Sequence, residues 1–225
     1  MPYGAEHPKT EPSLTNHLAG APGSAYLPAM DTIQKSLSNP RLRSVCVYCG
    51  ASDAVNQIYI RLAERLGAEL ARAGIRLVYG GGGVGLMGAC ASAAHSAGGE
   101  VLGIMPRFLL AKERIFTDVE HRIVEDMHTR KMMMFEEADA FIVLPGGIGT
   151  LEEAVEILSW ARLNLHAKPM AFLDEDGFWQ PFFDLIERII AGGFIPQEFR
   201  SAMVHVTTPA GALQALGDRI VVLDR

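Results

Sequence analysis

Cysteine is scarce in this chain, with three residues among 225. Cys46 and Cys49 form a C-x-x-C, a spacing that suits redox or zinc chemistry. No second pair stands elsewhere to complete a zinc site. The run Val45-Cys-Val-Tyr-Cys49 is β-like, so residues three apart are expected on opposite faces of a sheet. Cys90, in a run of small residues, reads as a core filler. Positive charge is also short: 20 Lys and Arg against 26 Asp and Glu give a net charge of −6. No basic stripe appears, which argues against nucleic acid as the main partner. No apolar run reaches the roughly 18 residues of a membrane span. The N-terminus lacks the charged-then-apolar layout of a signal peptide, and Glu6 and Glu11 argue against a transit peptide, so a cytoplasmic location is the expectation. No cluster of metal-ligating residues stands out, and neither a metal nor another cofactor is expected.

Hydrophobic residues make up 49% of the chain, ample for one large core. Residues 1–40 carry six of the 12 prolines and no sustained hydrophobic period. They read as a poorly ordered arm, with a short helix around Met30 to Leu37, ahead of a compact domain over residues 41–225. Within that domain, strands are expected at 44–49, 75–79, 101–105, 120–124, 140–144, 169–173 and 203–206. Helices are expected at 54–73, 84–97, 127–137, 149–163, 178–191 and 209–217. Most strands are continuous apolar runs, as when both sheet faces are covered. The alternation predicts an α/β fold with right-handed crossovers and a mostly parallel sheet. The runs at 120–124 and 203–206 are polar enough to lie near its edges. Pro181 falls in the first turn of its helix, and the aromatic stretch from Phe178 reads as core.

Two strands are followed at once by glycine-rich turns. Ala140-Phe-Ile-Val-Leu144 leads into Pro145-Gly-Gly-Ile-Gly-Thr-Leu-Glu-Glu153, and Ile75-Arg-Leu-Val-Tyr79 into Gly80-Gly-Gly-Gly-Val-Gly-Leu-Met-Gly88. Glycine lets the backbone turn tightly and approach a ligand. The free N–H groups of a helix start favour an anion. Two such turns at the carboxyl ends of parallel strands suit a nucleotide phosphate. The plainer alternative is a pair of tight turns whose acids complement the helix dipole. Gly80-x-Gly82-x-x-Gly85 matches a dinucleotide fingerprint only formally, because any glycine run generates it. The next strand ends in Pro106-Arg107 rather than in an acid, which disfavours a dinucleotide, with Arg107 the one candidate contact for the 2′-phosphate of NADP. Leu86 and Met87 stand where a Walker lysine would follow Gly85.

These motifs, in this order, resemble the lonely guy family of cytokinin-activating phosphoribohydrolases. Pro145 to Glu153 is a complete P-G-G-x-G-T-x-x-E motif. Gly85-Leu-Met-Gly88, Cys49-Gly-Ala-Ser52, Met127-His-Thr-Arg-Lys131, and Trp160 with Lys168-Pro169 downstream also fit. The resemblance spans about Arg43 to Leu223. It implies a Rossmann-like three-layer sandwich and a homodimer with active sites near the subunit interface. It also implies hydrolysis of the N-glycosidic bond of an adenosine 5′-monophosphate, N6-prenyl forms favoured, releasing a free base and ribose 5-phosphate. By the same resemblance, Arg130 and Glu153 are the catalytic pair. Substrate contacts fall to Ser52, Gly82, Gly83, Glu113, Lys131, Gly146, Gly147, Ile148, Gly149, Thr150, Leu151, Glu152 and Ser159, with Ser52, Gly82 and Gly83 at the phosphate. The chain departs from the family pattern at Thr129 and Ile148, positions that bear on preference for the base or its N6 substituent. Members are often labelled lysine decarboxylases; here no lysine stands in a recognisable pyridoxal-phosphate context. A broader nucleoside monophosphate nucleosidase and a non-catalytic nucleotide-binding protein are the competing functions.

The residue types suit that chemistry. Cleaving a ribosyl–purine bond builds positive charge on the sugar and negative charge on the base. A carboxylate beside the sugar stabilises the cation or activates water. An arginine never loses its proton, and its planar fork grips oxygens in pairs. Asp126 and His128 are candidates for protonating the base, against a helix cap and a structural histidine as the plainer roles. Met127, Met132, Met133 and Met134 read as core, with an apolar wall for a prenyl group or a dimer seam as the alternative.

Overall fold

A computed structural model describes residues 42–111 and 114–223. Seven strands form one all-parallel sheet: β1 (Ser44–Tyr48), β2 (Arg76–Tyr79), β3 (Val101–Pro106), β4 (Glu120–Val124), β5 (Ala140–Val143), β6 (Met170–Leu173) and β7 (Met203–Val206). Six α-helices connect or follow them: α1 (Gln57–Arg72), α2 (Gly85–Ser96), α3 (Met127–Glu136), α4 (Ile148–Arg162), α5 (Gln180–Ala191) and α6 (Pro209–Leu223). The strand order β4-β3-β2-β1-β5-β6-β7 places the two polar runs, β4 and β7, at the edges. The expected arm and its short helix lie outside the described residues.

Both sheet faces are covered, and each carries its own core. Leu62, Leu66 and Leu70 of α1, the small residues of α2, and Ala212 and Leu216 of α6 pack on one face. Met134 and Phe135 of α3, Ile157 and Leu158 of α4, and Trp179 near the start of α5 pack on the other. The central strands are buried throughout, as their continuous apolar runs require. Cys46 lies in one core and Cys49 in the other, because alternate residues of β1 point oppositely. The small-residue helix α2 packs closely on α1 as well as on the sheet: a Cβ on Gly67 would fall 2.1 Å from the Cys90 carbonyl oxygen.

Local chemistry sets several boundaries. Asn56 caps α1, accepting from the Ile58 N–H, so the helix starts three residues later than expected. Asp126 caps α3, accepting from the Thr129 N–H and hydroxyl. Pro181 sits in the first turn of α5. Of the aromatic stretch there, Trp179 is buried while Phe178 and Leu185 stay exposed. Helix α6 runs on past Gly217 to Leu223. Glycine weakens a helix by only about 1 kcal/mol, and Leu216 and Ile220 continue its apolar contact with the core.

Candidate active site

From β1 the chain winds outward to β2, β3 and β4, then returns to the other side of β1 for β5. The carboxyl ends of β1 and β5 therefore form the topological switch point, the crevice where open parallel sheets bind ligands. The loops that leave the two strands are joined there. The Gly50 N–H donates to the Pro145 carbonyl at 3.1 Å.

Beside this crevice lie the two residues singled out as catalytic. Arg130 comes from the first turns of α3 and Glu153 from the second turn of α4. The Arg130 Nη1 donates to Glu153 Oε1 at 2.9 Å, its Nε to the Ile104 carbonyl at 3.1 Å, and its Nη2 to the Gly80 carbonyl at 3.4 Å. Both residues are 6% exposed. A Cβ on Gly80 would fall 2.1 Å from Arg130 Nη2, so a larger residue here would push the guanidinium from its place. The guanidinium thus closes over the ends of β2 and β3 and presents one N–H to the carboxylate. Among the described residues, Glu153 Oε2 takes no hydrogen bond.

Burial pushes the Glu153 carboxyl above its ordinary 4.5, while the Arg130 charge beside it pulls the other way. A carboxyl raised in this way stays protonated to a higher pH than usual. Chemistry that needs the carboxylate is then lost on acidification earlier than an ordinary glutamate would dictate. The acid limb of kcat, followed from pH 4 to 8 at saturating substrate, is expected above pH 4.5; a midpoint at or below 4.5 would contradict this.

The two glycine turns differ in a way their sequences do not reveal. In α4 the first intrahelical bond runs from the Leu151 N–H to the Gly147 carbonyl, and no side chain caps the start. The N–H groups of Ile148, Gly149 and Thr150 therefore precede the helical ladder, and Gly147, Ile148 and Gly149 are exposed. Gly146 carries the Thr150 hydroxyl close against it. In α2 the corresponding donors are already used. The Gly85 N–H donates to Asp53 Oδ1 at 2.8 Å, and those of Leu86 and Met87 to the Gly50 carbonyl at 3.0 and 3.4 Å. Gly83 donates to the Arg114 carbonyl at 2.6 Å, and Gly82 bridges Ile115. Only the α4 start is open to an anion; the α2 start is filled by the protein's own carboxylate and carbonyl. That corrects the expectation of two equivalent anion sites. Asp53, which the sequence reading passed over, makes the difference. Its one signal was an acid just past the strand-end Cys49-Gly-Ala-Ser52.

The remaining expected contacts are dispersed. Ser52 is exposed, and its hydroxyl oxygen accepts from the Ala54 N–H at 3.2 Å. Lys131 pairs with Glu152 and Glu156, 2.8 and 2.9 Å away on α4. Leu151 packs against the core. Ser159 is exposed, and its position 11 residues into α4 puts it about 16 Å along the axis from the helix start. Glu113 lies outside the described residues. His128 is exposed, and Asp126 is occupied as a cap. Arg107 forms a two-pronged pair with Glu125, so the one candidate for a 2′-phosphate already has an anion. Met134 is buried, and Met127, Met132 and Met133 are half-buried. Among the described residues no group of three or more His, Cys, Asp or Glu side chains is placed to hold a metal ion.

The architecture is that of a Rossmann-like α/β protein with a buried arginine–glutamate pair beside the switch point of the sheet. Solved structures agree with the fold. The molybdenum cofactor binding protein of Rippkaea orientalis superposes with a TM-score of 0.62 at 20% identity, covering 80% of this chain and 98% of that one. The Moco carrier protein of Chlamydomonas reinhardtii gives 0.61 at 19% identity, covering 81% and 99%. A family model described as "possible lysine decarboxylase" matches residues 87–216. A cytokinin riboside 5′-monophosphate phosphoribohydrolase of Oryza sativa subsp. japonica is 44% identical over 169 residues, 75% of this chain and 70% of the relative. Another, from Arabidopsis thaliana, is 41% identical over 180 residues, 80% and 84% of the two chains. The chain belongs to this family, the lonely guy phosphoribohydrolases.

Proposed function

We propose that this chain hydrolyses the N-glycosidic bond of adenosine 5′-monophosphates, N6-modified ones included, to a free base and ribose 5-phosphate. The observation that carries this reading is the buried Arg130–Glu153 contact beside a helix start with open donors. The 5′-phosphate rests on the N–H groups of Ile148, Gly149 and Thr150, where dipole and donors favour it. The Ser52 hydroxyl proton adds a further donor. Gly82 and Gly83 hold the neighbouring loop in shape, since Gly83 cannot offer its N–H without releasing Arg114. The ribose then lies over Glu153, whose unbonded Oε2 stabilises the developing cation or accepts a proton from the attacking water. Arg130 keeps that carboxylate ionised and oriented. The family resemblance adds Lys131, Leu151, Glu152, Ser159 and Glu113 as further substrate contacts, with Ser159, about 16 Å along α4, meeting a part of the substrate other than the phosphate. No lysine of the sequence stands in a recognisable pyridoxal-phosphate context, which leaves the lysine chemistry of the family description without support.

The same reading makes the enzyme a homodimer. Ile148, Val155 and Leu163 lie at i, i+7 and i+15 along one side of α4 and are 82%, 45% and 64% exposed. Glu152 and Ser159, at i+4 and i+11, share that side. An apolar stripe threaded with expected substrate contacts fits a face where a second copy docks beside the site. A cytoplasmic setting fits three cysteines that are all buried and free. The test incubates the protein with AMP, isopentenyl-AMP, IMP and CMP, with chromatography for free base and light scattering for mass. Release from adenine nucleotides by a dimer is expected. Release from none would overturn the enzymatic reading, and equal release from all would make this a general nucleosidase.

A further inference from the structure

One short segment touches both helices of the catalytic pair. Helix α4 ends at Arg162 with Leu163 as its cap, and Asn164 follows with a left-handed φ of 57°, a conformation asparagine tolerates. The Asn164 and Leu165 N–H groups bond back to the Ala161 and Trp160 carbonyls, and the chain reverses. His166 then returns to α4, its Nε2 2.9 Å from the Ile157 carbonyl. Its Nδ1 accepts the Lys168 backbone N–H at 3.1 Å. That bond places the ring proton on Nε2, which makes the ring a donor to Ile157. Burial lowers the pKa of His166, in keeping with a neutral ring in this role.

Lys168 reaches the other helix. Its Nζ donates to the Phe135 carbonyl, in the last turn of α3, at 2.7 Å and lies 4.0 Å from the Phe135 ring centroid. It adds a short bond to a carbonyl that otherwise accepts only backbone N–H groups of the helix end, among them that of Ala138 at 3.4 Å, and it opposes the negative end of the dipole. The Phe135 ring is also in edge contact with Trp160 of α4 and with His166, at 5.4 and 5.2 Å. The lysine is half-buried, and burial pulls its pKa down to about 8 against the opposing charges of Asp139 and Glu136. An exposed lysine would avoid that desolvation. Phe135 stands five residues from Arg130, and Ile157 four from Glu153, spans of about 7 and 6 Å along their axes.

We infer that the His166-Ala167-Lys168 segment is a positioning strap that fixes α3 relative to α4, and so holds Arg130 in register with Glu153. The kinetic part of this inference rests on the proposed function. Arg130 and Glu153 sit on separate helices, and their contact needs both helices held to a fraction of an ångström. Reactions of this kind lose up to about a hundredfold in rate for a 1 Å misplacement.

Three variants test it: Lys168→Met, which keeps the stem and removes the charge, Lys168→Arg, which restores a cation, and His166→Gln, which keeps a donor. For each, kcat and KM on AMP are measured, together with the midpoint of the Glu153 carboxyl by 13C NMR. Lys168→Met is expected to lower kcat at least tenfold with KM within twofold, and Lys168→Arg to recover most of that loss. The Glu153 midpoint is expected to rise in Lys168→Met as Arg130 draws away. A residue that merely stabilises the fold would move neither kcat at constant KM nor the midpoint. If Lys168→Met does not fold, Lys168→Gln, which also removes the charge, carries the test with changes in the same directions. Wild-type kcat and midpoint in a folded variant without the charge would overturn the strap. A wild-type protein that releases no base would instead overturn the proposed function, and the NMR midpoint alone would then decide the strap.

Discussion

Glu153→Gln is expected to lower turnover of AMP by about a thousandfold, the scale at which a positioned acid–base group contributes, while AMP still binds. The substitution is nearly isosteric and keeps an oxygen facing Arg130 Nη1. The guanidinium also retains the carbonyls of Gly80 and Ile104. What disappears is the negative charge beside the sugar, needed chiefly in the transition state, so the loss falls on kcat and on kcat/KM alike. Because the anion site at the start of α4 is untouched, the dissociation constant for AMP stays within a few-fold. Base release by chromatography and calorimetry on the same preparation check both halves. Unchanged turnover would remove Glu153 from the mechanism, whereas lost binding would show that it holds substrate instead.

Adenosine, lacking the 5′-phosphate, is expected to be a poorer substrate than AMP by about a thousandfold or more in kcat/KM. Hydrogen bonds from uncharged donors to a charged group are worth about 1.5–3 kcal/mol each, and α4 offers three N–H groups at its start. A thousandfold corresponds to about 4 kcal/mol, so two such bonds suffice after the cost of ordering the ligand. The phosphate is remote from the bond that breaks. Its binding energy therefore holds the ribose over Glu153 and shows partly in kcat. Single-turnover rates with the two substrates at saturation separate that part from simple affinity. Equal kcat/KM for adenosine and AMP would mean that the open helix start is not the phosphate site.

Much of the fold was legible because it rests on short-range patterns. Continuous apolar runs marked the buried strands, and the polar runs at Glu120–Val124 and Met203–Val206 marked the sheet edges. Asp126 as a cap and the opposed faces of Cys46 and Cys49 follow from geometry within a few residues. The site was legible only through whole motifs. Sequence spacing alone would pair Arg130 with Glu136 or Glu137, six and seven residues on. In the fold, Glu137 is held by Arg76 and Arg122, from β2 and β4, which leaves Arg130 for Glu153. Likewise the two glycine turns look alike as strings. One is open and the other closed because Asp53, 32 residues before Gly85, reaches only one of them.

The sequence by itself determined the alternation of strands and helices, the parallel sheet with its polar edges, and the residue types gathered for ribosyl chemistry. These depend on hydrophobic period, caps and turns, which act over a few residues. Tertiary structure alone decided which helix start remains free for an anion, that Arg130 faces Glu153 with both side chains buried, and that His166 and Lys168 contact the two helices that carry this pair. Each of these is a contact between segments brought side by side by the order of strands in the sheet, and no local pattern encodes that order.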